Sequence, residues 1–87
     1  MENLRAFKVE TIPATNHLPV RVKITDLRYA KSVIINYSAG SADHEKELVI
    51  DYLNMFNINI IAQAWSENKS GQHQYSLYLT DNFTSKI

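Results

Sequence analysis

Three segments in the first half of the chain have the pattern of strands: two alternate apolar and polar residues with a period of two, and the third is rich in β-branched and aromatic residues, with Val33, Ile35 and Tyr37 on one face. They cover residues 7–11, 20–25 and 32–37. Side chains of a β-strand point alternately to opposite faces, so each segment is predicted to form a strand with one buried face. The stretch between the first two segments is bounded by Pro13 and Pro19. Because proline cannot donate a backbone hydrogen bond to a sheet, this stretch is predicted to be a loop.

After residues 38–41 the apolar residues recur with the spacing of a helix rather than with that of a strand. Ser41 can cap the first turn, and Asp43 and Glu45 follow where the helix dipole favours anions. The apolar residues beyond them fall on one stripe of a helix. They are Leu48, Val49, Tyr52, Leu53 and Phe56. This stripe predicts a helix that covers one face of a sheet.

Two further strands are predicted in the last third of the chain. The first covers residues 58–65, a polar loop follows over 66–72, and the second strand covers 75–80. Residues 81–87 are predicted to be a loosely held tail. The element order is then β-β-β-α-β-β, which is typical of an α+β fold: a two-layer sandwich of an antiparallel-rich sheet of about five strands with one helix on one face.

The predicted core lies between this sheet and the helix. Its members are Val20, Val22, Ile24, Val33, Ile35, Val49, Leu53, Phe56, Ile58, Ile60, Leu77 and Leu79. A single helix leaves the opposite sheet face for water, a partner or a second copy of the chain. By alternation, that face is predicted to carry Arg21, Lys23, Ile34, Asn36, Ile61, Gln63, Trp65 and Tyr78.

The length and charge of the chain narrow the possible classes of function. Its 87 residues are enough for one small domain over 1–87. Nine basic side chains balance nine acidic ones, so net charge alone indicates neither nucleic acid nor an acidic membrane as a partner. The charge is nevertheless divided, with six basic and three acidic side chains in residues 1–31. This division indicates either ion pairing within the fold or a basic surface beside an acidic helix.

The residues that could carry chemistry are few and scattered. The chain has no cysteine, and His17, His44 and His73 show no spacing typical of a metal site or a catalytic pair. We therefore expect no metal, no cofactor and no enzymatic activity. The first residues lack the basic and apolar parts of a secretory leader, and no apolar run approaches the roughly 20 residues of a membrane span. We expect a cytoplasmic chain without membrane contact.

Two kinds of macromolecular partner remain open. An apolar and aromatic sheet face with Ile61, Trp65 and Tyr78 suits a protein partner or a homodimer. The alternative is nucleic acid, because cations track phosphates and aromatic rings stack on bases. The residues for this alternative are Arg21, Lys23, Arg28 and Lys31, with Tyr29, Trp65 and Tyr78 as aromatic surfaces. A non-catalytic module that binds a protein or itself is the primary hypothesis.

One resemblance adds the loop to the candidate site. The sequence Pro-Ala-Thr-Asn at 13–16, followed by Arg-Val-Lys-Ile at 21–24, resembles small uncharacterised proteins of bacterial genomes, phages and integrated mobile elements over about residues 11–65. The resemblance implies a bacterial or phage cytoplasmic setting and a role in binding. It adds Thr15 and Asn16 to the candidate binding residues. Asn16 can equally have a structural role, capping the turn through its own backbone.

Overall fold

The computed structural model describes residues 3–36, 42–67 and 73–87. Its elements are β1 (Arg5–Ile12), β2 (Arg21–Asp26), β3 (Lys31–Asn36), α1 (Ala42–Asn54), β4 (Ala62–Glu67) and β5 (His73–Thr80). The five strands form an antiparallel sheet in the order β3-β2-β1-β5-β4, and α1 packs against one face of it. The predicted α+β fold with one helix on one sheet is confirmed.

The core lies between α1 and the central strands. In an antiparallel sheet directly paired residues share a face, and Phe7 of β1 pairs with Asp26 of β2 and with Tyr78 of β5. The helix contributes Val49 and Leu53, which are fully buried. The buried apolar residues are Phe7, Val9, Val22, Ile24, Val49, Leu53, Ile58, Tyr78 and Ile87.

The end of α1 corrects the predicted start of the fourth strand. The Ile58 N–H donates to the Leu53 carbonyl at 3.1 Å and the Asn57 N–H to the Asn54 carbonyl at 3.0 Å, while Asn57 has a φ of 63°. These bonds form a Schellman motif, in which a left-handed residue ends the helix and an apolar residue follows it. Ile58 therefore packs into the core as part of the helix terminus, and β4 begins at Ala62 rather than at residue 58. The predicted cap at Ser41 lies outside the described residues.

The faces of the last two strands are opposite to the prediction. Tyr78 was expected on the uncovered face, but it is 1% exposed and lies in the core. Leu77 and Leu79 were expected in the core, but they alternate with Tyr78 and point to the other side. The pairing of Tyr78 with Phe7 fixes this register, because Phe7 is buried under the helix. A one-residue change of assignment moves every side chain of a strand to the other face.

The segment after β5 is held to the sheet, which corrects the expectation of a loose tail. Arg5 Nη1 donates to the Asn82 carbonyl at 3.0 Å, and the Asn82 amide donates to the Asn57 carbonyl at 2.9 Å. The Tyr29 hydroxyl donates to the Phe83 carbonyl at 2.8 Å, and Ile87 is 8% exposed in the core. Hydrogen bonds and apolar burial from distant parts of the chain therefore anchor residues 82–87.

Candidate binding surface

The sheet face opposite α1 is not covered by any element of the described part of the chain. We call it the open face. Its residues alternate with the buried rows of every strand. They are Ala6, Lys8, Glu10 and Ile12 of β1, Arg21, Lys23 and Thr25 of β2, Ser32, Ile34 and Asn36 of β3, Ala62 and Ala64 of β4, and Tyr75, Leu77 and Leu79 of β5.

An apolar strip occupies one half of the open face. Leu79 pairs with Ala6 on one side and with Ala62 on the other, so these three side chains form a row across β1, β5 and β4. Leu77 pairs with Ala64 in the next row. Leu77 and Leu79 are half-buried, and together with the alanines they give a shallow apolar surface. Such a surface is typical of a contact site when it is contiguous.

A basic strip lies beside it on β2. Arg21 and Lys23 alternate along this strand and are partly exposed. The described residues contain two salt bridges, Arg5–Asp26 and Lys8–Glu10, and neither uses Arg21 or Lys23. The open face therefore presents cations that no described carboxylate neutralises at ion-pair distance.

Lys8 joins the two strips. Its ammonium lies 3.7 Å from a Glu10 carboxylate oxygen and 4.7 Å from the centre of the Tyr75 ring. An ammonium over a ring face is attracted by the ring quadrupole, so Lys8 covers the aromatic side chain that the open face offers in the described part of β5.

Two of the predicted binding residues, Tyr78 and Ile61, do not lie on the open face that carries Arg21 and Lys23. Tyr78 belongs to the core, and its cross-strand partner Gln63 shares its side of the sheet. Ile61 is 49% exposed and lies just before β4, near Tyr78. The side chain of Trp65 lies outside the described residues. The predicted aromatic platform on the open face is therefore wrong for Tyr78.

Arg28, Tyr29 and Lys31 form a cluster in and beside the turn between β2 and β3. The Arg28 guanidinium lies 5.3 Å from the centre of the Phe83 ring, and the Lys86 ammonium lies 4.9 Å from the centre of the Tyr29 ring. The Lys31 ammonium donates to the Ile87 backbone oxygen. These three predicted binding residues therefore contact the terminal segment 82–87, and these contacts use polar and aromatic groups that a partner would otherwise bind.

The loop between β1 and β2 is ordered by Thr15. The Thr15 hydroxyl accepts from the backbone N–H groups of His17 at 3.3 Å and of Leu18 at 3.1 Å, and the Thr15 N–H donates to the Leu18 carbonyl at 2.9 Å. This is the turn-capping role that the sequence predicts for Asn16. The capping residue is Thr15 instead, since its hydroxyl reaches both N–H groups, and Asn16 is exposed.

Sequence reasoning missed the apolar strip. Leu77 and Leu79 were assigned to the core because leucine is usually buried. The alternative row of β5 consists of Ser76, Tyr78 and Thr80, which all carry a hydroxyl group, so the pattern indicates a polar row. Ala62 and Ala64 alternate along β4 and lie on the open face opposite Leu79 and Leu77. The alternation along β4 and β5 indicates that each strand has an apolar row. It does not indicate which face of the sheet that row occupies.

The titratable groups of the described residues include Tyr78, whose pKa is raised. No group of three or more His, Asp or Glu side chains comes together there as a metal site would require. Burial, with a further effect of the Glu45 carboxylate, raises the pKa of Tyr78 from 10.0 to about 12, so its hydroxyl stays neutral near pH 7. In the same residues, no helix has the length and apolar character needed to span a bilayer.

Comparisons of the chain with protein-family models, with curated proteins and with solved structures find no match. The resemblance to small proteins of bacteria and mobile elements thus stays a prediction.

Proposed function

We propose that this chain is a non-catalytic binding module that contacts a partner protein through the open face. The observation that supports this proposal is the apolar strip around Leu77 and Leu79 beside the cations Arg21 and Lys23, which form no ion pair with a described carboxylate. An apolar centre with a charged border is the usual composition of a protein-protein contact. The cytoplasmic, bacterial setting implied by the resemblance is part of the same proposal.

The charges on the open face favour a partner with an acidic border. Among the described residues of the open face, Arg21, Lys23 and Lys8 are accompanied by one carboxylate, Glu10, which forms an ion pair with Lys8 and lies opposite Lys23 in the strand register. A partner that places carboxylates near Arg21 and Lys23 would gain electrostatic attraction, mostly in the rate of association. A second copy of the chain would present, from the described part of this face, the same three cations and the Glu10 carboxylate. Charge therefore favours a different protein over a homodimer.

Nucleic acid is supported less well by the same surface. Cations alone suit phosphates, but bases need aromatic side chains on which to stack. Tyr78 is buried, Tyr29 is engaged with the terminal segment, and Tyr75 lies under the Lys8 ammonium. Described aromatic side chains are therefore not arranged as a free stacking surface beside Arg21 and Lys23.

A capture experiment with paired variants tests the proposal. The tagged chain, Leu79→Lys and Met55→Lys are each used to capture partners from cells of the source organism, with and without nuclease. Met55 is 76% exposed and lies outside the open face, so Met55→Lys makes the same chemical change elsewhere. We expect the wild-type chain and Met55→Lys to retain the same protein after nuclease treatment, and Leu79→Lys to lose it.

Two other results of the capture experiment would contradict the proposal. Capture that nuclease abolishes would support nucleic acid. Capture that Leu79→Lys leaves unchanged would contradict the open face as the contact site. For a retained protein, we expect Arg21→Gln with Lys23→Gln to weaken binding and to reduce its dependence on salt, because both cations face the acidic border.

A further inference from the structure

Strand β3 forms one edge of the sheet. It pairs with β2 along Lys31–Asn36, and within the described residues no other strand pairs with it. The remaining backbone hydrogen bonds of the described residues do not involve these positions either. Every second residue of such an edge directs its N–H and C=O groups away from the sheet, where an extended chain can pair with them. The outer edge of β3 can therefore accept a further strand.

The sequence of β3 does little to prevent such pairing. Edge strands usually avoid it through prolines, bulges or charged side chains. The register of β3 with β2 is regular along its whole length, and its charged residue is Lys31 at the first position. The middle of the strand is Val33, Ile34 and Ile35, and Ile34 is 52% exposed. An added strand would cover these apolar side chains.

The charges beside this edge favour an acidic strand. Lys23 of β2 pairs with Ile34, and Arg21 pairs with Asn36. Neither cation forms an ion pair with a described carboxylate, and Glu10, opposite Lys23 on β1, forms its ion pair with another residue. A strand added to β3 would lie two strand spacings, about 10 Å, from β2. A long cationic side chain and a glutamate side chain can span that distance together.

Arg21 gives a second indication of a carboxylate. Its Nε atom is buried and has no hydrogen-bond partner among the described residues. A buried donor without an acceptor is costly, and such donors are rare in proteins. The residue as a whole is partly exposed, so its guanidinium can turn toward a partner. A carboxylate that binds an arginine side-on accepts from Nε and from one Nη together, which would satisfy this donor.

We propose that β3 binds an extended acidic segment of a partner protein as an added edge strand, with carboxylates on the open face toward Arg21 and Lys23. This inference rests on the proposed function, because it describes how the acidic border of the partner reaches these two cations. A second copy of the chain suits the edge less well, since β3 contains no Asp or Glu and would bring a second Arg21 and Lys23. Main-chain hydrogen bonds would provide affinity, and the alternating side chains would provide specificity.

A short peptide that alternates valine and glutamate tests the proposal. The probe is acetyl-Thr-Val-Glu-Val-Glu-Val-Thr-amide, whose glutamates share one face of a strand with the same two-residue spacing as Arg21 and Lys23. It is titrated into the ¹⁵N-labelled chain, and amide shifts and hydrogen exchange are followed along residues 31–36. We expect saturable shifts there, with slower exchange at every second amide of β3, those that point outward in the free chain.

Two further peptides separate the effect of charge from that of strand pairing. Replacing both glutamates by glutamine keeps the shape and removes the charge, and we expect about 3- to 10-fold weaker binding. N-methylation of two adjacent central residues removes one backbone donor on each edge of the peptide strand and keeps the charge. We expect it to weaken binding by at least about 5-fold, because one of the two lost donors faces β3.

Variants of the chain locate the charged contact. Arg21→Gln with Lys23→Gln should bind the glutamate peptide as weakly as the wild-type chain binds the glutamine peptide. Lys46→Gln is the control, since it removes an exposed cation of α1 near Ile61, and it should bind like the wild-type chain. Loss of capture in Leu79→Lys tests the apolar strip, whereas the peptides test β3, so failure of this inference is distinguishable from failure of the proposed function.

Four results would overturn the proposal. The first is the absence of saturable changes along residues 31–36, and the second is equal binding of the N-methylated peptide, which would show contact without strand pairing. The third is equal binding of the glutamine peptide, or unchanged binding by Arg21→Gln with Lys23→Gln. The fourth is protection of the outward β3 amides that rises with protein concentration in the absence of peptide, which would show that a second copy occupies this edge.

Discussion

Replacing Arg5 by methionine removes the cation from an ion pair that is buried on both sides. Arg5 Nη2 donates to Asp26 Oδ2 at 2.6 Å, and the two side chains are 0% and 1% exposed. Removing one partner of a buried pair leaves an uncompensated charge and costs about 3–5 kcal/mol. Since small domains have about 5–15 kcal/mol of total stability, Arg5→Met should come close to unfolding the chain.

The surroundings of Arg5 support the upper part of that range. Its guanidinium lies 4.7 Å from the centre of the Phe7 ring and 5.1 Å from that of Tyr29, and it also donates to the Asn82 carbonyl. Methionine keeps part of the apolar packing and loses every charged contact. The same substitution at Lys8, whose pair with Glu10 is 35% and 40% exposed, is the matched control and should cost less than about 1 kcal/mol.

Two substitutions of Asp26 separate the effect of its charge from the effect of its hydrogen bonds to the turn. Asp26 Oδ1 accepts from the N–H groups of Arg28 at 3.0 Å and of Tyr29 at 3.3 Å. Asp26→Asn keeps an acceptor for these groups and removes the charge, whereas Asp26→Ala removes both. We therefore expect Asp26→Ala to be the more destabilised of the two, by about 1–3 kcal/mol.

The assay is equilibrium unfolding in urea of a double-mutant cycle. The double variant Arg5→Met with Asp26→Asn should be more stable than the sum of the single changes implies, by about 1–3 kcal/mol, because it leaves no buried charge unpaired. An Arg5→Met cost below about 1 kcal/mol, or a cycle that is additive within about 0.5 kcal/mol, would refute the assignment of this pair as a buried, coupled ion pair.

Three further changes test other parts of the fold. Leu53→Ala should cost about 2–5 kcal/mol in urea unfolding because Leu53 is fully buried under the sheet, and a change below about 0.5 kcal/mol would contradict the assigned helix face. Ala30→Gly should raise stability by up to about 1 kcal/mol because Ala30 has a φ of 53°, and a loss of stability would show that the turn does not need this conformation. The pKa of Tyr78 is raised in the folded state from 10.0 to about 12. The contribution of its neutral hydroxyl to the free energy of unfolding is therefore retained below pH 10 and is lost as the pH rises toward 12. Relative to Tyr78→Phe, the wild-type chain should lose about 2 kcal/mol between roughly pH 9 and pH 11.5, and parallel curves for the two proteins would contradict the burial of this hydroxyl.

The order of elements could be read from the sequence because each periodic segment is bounded by residues that break it. Pro13 and Pro19 delimit the first loop, and the stripe with Val49 and Leu53 requires a helix. These features are local, so they do not depend on which strands pair. The α+β architecture follows from them.

The orientation of β5 could not be read in the same way. Both of its rows contain a large apolar or aromatic side chain, with Leu77 in one and Tyr78 in the other. Which row is buried depends on the pairing of Tyr78 with Phe7, which is separated from it by most of the chain. A pattern along one strand contains no information on that register. The open face is therefore aliphatic, with Leu77 and Leu79, where the sequence predicted an aromatic face with Tyr78.

The helix end and the terminal segment show the same limitation. Residues 57–60 alternate Asn and Ile, which is typical of a strand, but Asn57 has a left-handed backbone conformation that ends the helix, and Ile58 packs into the core. Asn82 joins β1 and the helix end through Arg5 and Asn57, and these partners are far from it in sequence. Such contacts have no periodic signature.

Site-specific photo-crosslinking tests the open face as a protein-binding surface most directly. A benzophenone side chain is placed at position 79, in the apolar strip, or at position 55, outside the open face, and cells that express the chain are irradiated. We predict a covalent adduct with one protein other than the chain itself from position 79, unchanged by nuclease, and none from position 55. Adducts from position 55 alone, or adducts from position 79 that contain only nucleic acid or a second copy of the chain, would contradict the proposed function.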